Sequence, residues 1–156
     1  MGMMLMLIGG VAQADNPRYA GLVADAASGE VVYAENEEAR RYPASLTKMM
    51  TLYLLFEAIE QGRLDIDDAL PVSTHAASMP ASKLWLRAGD SIRVGDVIPA
   101  LVVRSANDVA VVVAEALGGS ETAFAQLMTV RARRMGMEST RFRNASGLPD
   151  DAQVTT

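Results

Sequence analysis

Ser45 and Lys48 stand three residues apart in the segment Pro43-Ala44-Ser45-Leu46-Thr47-Lys48, directly ahead of the apolar stretch from Met49 to Ile59. Residues at i and i+3 share a face of an α-helix, so the lysine amine can approach the serine hydroxyl without help from another segment. A neutral amine beside a hydroxyl is a base beside a nucleophile. If Ser45 opens the helix, its backbone N–H is among the first four without an intrahelical acceptor and can donate to an oxyanion formed at its own hydroxyl. The chemistry that this arrangement suits is acyl transfer through serine.

The pattern is loose, and a capping serine followed by a solvated lysine would also produce it. Its surroundings favour the chemical reading. Met49, Met50, Leu52, Tyr53, Leu54, Leu55, Phe56, Ala58 and Ile59 surround the axis, which describes a helix buried on nearly all sides. A lysine beginning such a helix sits at the edge of a core, where desolvation favours the neutral amine. A second group, Ser105-Ala106-Asn107, separates the apolar runs 97–103 and 109–116 and reads as a tight connection between two buried helices. Such connections, held by rigid elements, are common places for catalytic side chains. Asn107 and Asp108 also suit a helix start, whereas Ser105 is left without a capping role.

Ser-x-x-Lys followed by a Ser-x-Asn triplet is part of the signature of penicillin-binding proteins and class A β-lactamases. The chain resembles the low-molecular-mass penicillin-binding proteins, the serine-type D-alanyl-D-alanine carboxypeptidases. Beyond the two motifs, similar segments occur in the same order from about Tyr19 to Thr156: Asp25-Ala26-Ala27-Ser28-Gly29-Glu30, Ser82-Lys83-Leu84, Gly89-Asp90, Leu117-Gly118-Gly119-Ser120 and Asn144-Ala145-Ser146-Gly147-Leu148-Pro149-Asp150. The resemblance implies an α+β domain of the penicillin-binding transpeptidase/β-lactamase type, incomplete here, with an opening β-hairpin and a helical block. It implies that Ser45 attacks the carbonyl between the two terminal D-alanines of a peptidoglycan stem peptide, forming an acyl-enzyme that water hydrolyses. Lys48 would be the base, Ser105 would relay a proton towards the leaving amine, and Asn107 would bind the substrate amide and Lys48. β-Lactam antibiotics would acylate Ser45 as substrate mimics, and no metal or organic cofactor is implied.

The family's third motif, Lys-Thr/Ser-Gly, does not occur in the sequence. The chain therefore reads as the front part of a longer protein, inactive by itself. Three other readings stay open: a D,D-endopeptidase of the same fold, a β-lactamase, and a non-catalytic penicillin-fold remnant that only binds wall peptides or does nothing. A class A β-lactamase would need a glutamate for deacylation, and its second motif is usually Ser-Asp-Asn rather than Ser105-Ala106-Asn107. Trp85 could pack over the site or cover exposed surface.

The 156 residues, half of them apolar, suffice for one core but not for two ordinary domains. A net charge of −5 argues against nucleic acid as a partner. Arg131, Arg133 and Arg134 fall where cations complement the end of a helix. The absence of cysteine excludes disulfides and a thiol nucleophile, and the single histidine, His75, lacks a metal-binding pattern and reads as a surface loop residue. At the amino terminus, the apolar run 3–11 precedes Ala12-Gln13-Ala14, the small-x-small form of a secretory cleavage site. Residues 1–14 are thus expected to be a leader and 15–156 a partial peptidase catalytic domain, exported to the periplasm. Inner-membrane association would need a carboxyl-terminal segment that this chain lacks.

The elements that must position these residues follow from punctuation and period. Residues 19–25 and 31–34 alternate around Ser28-Gly29 and predict a hairpin. A helix over 45–61 stops at Gly62. The stretch 65–96 reads as loops and short pieces. Helices over 94–103, 107–117 and 121–135 end at Gly118-Gly119 and Gly136, and the tail from Glu138 reads as a loop or poor strand.

Overall fold

Asp25 reverses the chain near its start: its Oδ1 accepts the N–H groups of Ala27 and Ser28 at 3.1 and 2.7 Å and the Ser28 hydroxyl at 2.9 Å. These donors, the Ser28 N–H foremost, hold the Asp25 carboxyl below its ordinary value. The turn joins β1 (Gly21–Ala24) to β2 (Val31–Glu35), which pair antiparallel with Leu22 opposite Ala34 and Val23 opposite Tyr33. The computed structural model describes residues 19–156, so the leader read at residues 1–14 lies outside them. The chain divides between Ala39 and Arg40 into two compact units, the hairpin in the first and the helical body in the second.

In the second unit α1 spans Thr47–Glu60, preceded by a 3-10 turn over Ala44–Leu46. Ser45 therefore stands in that turn, two residues ahead of the α-helix that it was expected to open. Ala44 adopts a left-handed φ of +47°, which an α-helix cannot continue through. The expectation of burial on nearly all sides is also corrected. Thr47, Lys48, Met50, Thr51, Leu54, Leu55 and Ala58 are buried, whereas Leu46, Met49, Tyr53 and Phe56 are exposed. Their spacing of three or four residues puts them on one helical face. The opposite side packs on the three helices that follow Arg93.

The stretch read as loops holds β3 (Ala69–Pro71), α2 (Thr74–Ser78) and β4 (Ser91–Arg93). β3 and β4 pair antiparallel with Leu70 opposite Ile92, both buried. Strands of three residues are too short to show a period, and His75 accordingly lies on α2 rather than in a loop. The remaining helices, α3 (Val94–Val102), α4 (Asn107–Gly118) and α5 (Glu121–Arg134), fall within a residue of their expected bounds. Gly119 ends α4 at a φ of +73°, and Ser120 caps α5 by accepting the Ala123 N–H at 3.2 Å. Arg131, Arg133 and Arg134 do occupy the last turn of α5.

α4 is the centre of this unit. It is buried without interruption from Asn107 to Ala114 and packs on α1, α2, α3, α5 and β3. Val109, Val111, Val112 and Val113 meet Leu55, Phe124 and Met128 in the core. Both polar residues at its start are thus held at the edge of a close-packed interior, where side-chain positions are fixed.

Candidate active site

Lys48 is 3% exposed, and burial pulls its amine from the ordinary 10.5 down to about 8. An amine so placed is available in its neutral form near neutral pH. Its Nζ donates to Asn107 Oδ1 at 2.8 Å and to the Ser146 carbonyl at 2.6 Å. Among the described residues no hydrogen bond joins Lys48 to Ser45, so the turn spacing by itself does not close that contact. Ser45, Lys48 and Ser105 line one open cleft of about 650 Å³, together with Ala44, Leu101 and Val102.

The 3-10 turn leaves Ser45 exposed. Its N–H meets no acceptor among the described residues, as a donor for a developing oxyanion must. Ser105 is half-buried with a left-handed φ of +51°, a conformation that costs a non-glycine residue about 1–3 kcal/mol and tends to cluster at functional sites.

Asn107 does not cap α4, contrary to one of its two expected roles. Its Oδ1 is taken by Lys48, and its Nδ2 donates to the Pro80 carbonyl at 3.0 Å. Its own N–H donates to the Ser82 carbonyl at 2.7 Å. Asp108, fully buried, accepts the N–H groups of Leu84, Leu86 and Val109 at 3.1, 3.2 and 2.9 Å. The segment between these two anchors carries Trp85, 71% exposed, with the Lys83 ammonium 4.6 Å from its ring centroid. Trp85 therefore lies on the surface.

The resemblance includes the segment 144–147 without implying a role for it, and the structure brings that segment against Lys48. Asn144 Oδ1 accepts the N–H groups of Ser146 and Gly147 at 3.2 and 2.7 Å and folds the segment into a tight loop. Gln153 Oε1 accepts the Arg143 and Asn144 N–H groups, and Thr51 Oγ1 donates to the Ala145 carbonyl at 2.7 Å. Gly147, at a φ of +89°, lies so close to the Ala44–Ser45 peptide that a Cβ on it would stand 1.8 Å from the Ala44 oxygen. The Ser-Gly pair ahead of a Leu-Pro was the available signal, but nothing local shows that its carbonyl faces a lysine almost a hundred residues away.

The chain matches the family model described as D-alanyl-D-alanine carboxypeptidase over residues 11–156. It is 35% identical over 129 residues to the D-alanyl-D-alanine carboxypeptidase DacF of Bacillus subtilis, covering 83% of this chain and 33% of that protein. The crystal structure of the D-alanyl-D-alanine carboxypeptidase DacD from Francisella tularensis superposes with a TM-score of 0.87 at 36% identity, over 99% of this chain and 37% of that one. Penicillin-binding protein D2 from Listeria monocytogenes, in its ampicillin-bound form, superposes with a TM-score of 0.77 at 31% identity, over 88% of this chain and 56% of that one. The chain thus spans about a third of the length of DacF and of DacD.

Proposed function

Because the chain belongs to the D-alanyl-D-alanine carboxypeptidase family, with the α+β architecture of its penicillin-binding relatives, we propose that it carries the acylation machinery of a serine carboxypeptidase acting on peptidoglycan stem peptides. In this reading the Ser45 hydroxyl gives its proton to neutral Lys48 as Oγ bonds to the carbonyl carbon between two terminal D-alanines. The Ser45 N–H donates to the resulting oxyanion. The carbon–nitrogen bond then breaks, and the leaving amine takes a proton relayed through Ser105. D-Alanine departs, and water later cleaves the Ser45 ester. Asn107 holds Lys48 on one side while its amide group meets the substrate backbone.

The observation that carries this reading is a buried lysine, drawn down to about 8, lining the same cleft as an exposed serine whose N–H is unpaired. A β-lactam presents the same carbonyl chemistry, and the ampicillin-bound relative supports its use as a probe. Export belongs to the same proposal, because a wall peptide is met outside the cytoplasm. The expected leader is its basis; no described helix is long and apolar enough to cross a membrane.

Prolonged incubation with a penicillin, followed by peptide mass spectrometry, tests the assignment. One adduct on the peptide holding Ser45 is expected, and none in Ser45→Ala. An adduct that survives Ser45→Ala, or no adduct in the unaltered protein, refutes it. Lys48→Arg should slow acylation by about 10²-fold or more, because a guanidinium does not release its proton near neutral pH.

A further inference from the structure

Glu121 lies more than seventy residues from Ser45 in sequence and outside the cleft, and none of the motifs includes it. As the first residue of α5 it suits the helix dipole, which would explain an exposed carboxylate. Its side chain is instead only 15% exposed, with both oxygens engaged. Oε2 meets His75 Nε2 of α2 at 2.9 Å, and Oε1 accepts the Ala145 N–H at 3.1 Å.

Ala145 is fully buried, and Glu121 is the acceptor of its N–H among the described residues. The next links run to the base: the Ala145 carbonyl accepts Thr51 Oγ1 of α1, and the Ser146 carbonyl accepts Lys48 Nζ. The loop is therefore pinned from two sides, by α1 through its carbonyls and by Glu121 through an N–H. We propose that Glu121 is a positioning residue that fixes the 145–146 backbone so that the Ser146 carbonyl meets Lys48. The proposal gives that loop a part in the acyl transfer proposed above and rests on that reading for its catalytic meaning.

Without the carboxylate, a buried N–H loses its acceptor, and a buried donor must be satisfied. The peptide has to tilt or admit water, and either change moves the Ser146 carbonyl and hydrates Lys48. Hydration relieves the burial that depresses the amine, so its titration must rise. The chain holds two lysines, Lys48 and Lys83, so ¹³Cε-lysine labelling gives two NMR signals with the second as internal control. The Lys48 signal of the unaltered chain should titrate near 8.

Glu121→Ala should move that midpoint up towards the ordinary 10.5, while Glu121→Gln, which keeps an oxygen for the Ala145 N–H, should leave it in place. If Glu121→Ala fails to fold, Glu121→Asp replaces it: the charge stays, the reach is one methylene short, and the same upward move is expected. An unchanged midpoint in a folded Ala or Asp variant overturns the proposal. So does a Gln variant that shifts as far as Ala, since an acceptor for the Ala145 N–H would then not be what holds the midpoint down. The titration needs no substrate, so failure of penicillin to acylate Ser45 would sink the functional reading while leaving this measurement decisive on its own.

Discussion

A lysine buried to 3% exposure costs stability whenever it must carry charge. Lys48 titrates near 8 in the folded chain against 10.5 ordinarily, so between those values the unfolded chain holds more protons and stability rises with pH. The burden is on the order of 3 kcal/mol below pH 8 and vanishes above 10.5. Urea denaturation at pH 7.5 and pH 10 should show this gain shrink in Lys48→Met, once the remaining titrations common to both proteins are subtracted. The same ionisation should govern chemistry: the rate of penicillin acylation should climb with pH and level off above about 8. Gly147 makes a second prediction at this scale. A methyl there would stand 1.8 Å from the Ala44 oxygen on a backbone at φ +89°, so Gly147→Ala should cost roughly 2–4 kcal/mol in thermal denaturation and push the Ser45 turn aside.

Among the elements, α4 both fills the core and holds the Lys48 amine, because its first two residues turn in opposite directions. Asn107 reaches Lys48 on α1, and Asp108 clamps the segment that carries Trp85. Asp108→Ala would leave the N–H groups of Leu84, Leu86 and Val109 without this acceptor, at about 1–3 kcal/mol for each that stays buried. The melting temperature should fall, and amide exchange should accelerate at 84–86 well before the rest of α4 opens. Exchange confined to the α4 terminus would show that the carboxylate only caps the helix. Asn107→Ala should act differently, with little loss of helix stability, because the side chain does not cap. Its effect should appear in acylation, through the loss of the Lys48 partner.

At the scale of the whole molecule, Leu46, Met49, Tyr53 and Phe56 leave one face of α1 in solvent, the first two at 69% and 68% exposure. Leu46, Met49 and Tyr53 border an apolar groove of about 350 Å³ with Met135, Met137 and Phe142. A contiguous apolar surface of this kind drives association. The chain should bind the dye ANS and self-associate in sedimentation experiments, and Met49→Lys combined with Phe56→Lys should reduce both.

The sequence by itself determined the hairpin, because Asp25 and Ser28-Gly29 encode their turn locally, and the three later helices, because Gly119, Gly136 and Ser120 mark their ends. It also singled out Ser45, Lys48, Ser105 and Asn107, since turn spacing and the flanking apolar runs are one-dimensional signals. The tertiary structure decided the rest. Lys48 faces Asn107 and Ser146 rather than bonding Ser45, Asn107 is spent on the lysine instead of the helix, and one side of α1 stays uncovered. Gly147 meets the Ser45 turn, and Glu121 meets the loop behind Lys48, only through contacts between segments far apart in sequence. Such pairings arise when α4 packs on α1, α2 and α5 and buried polar groups must find partners. The partner that each finds depends on which chain segment the packing brings near, and residue type and spacing do not encode that.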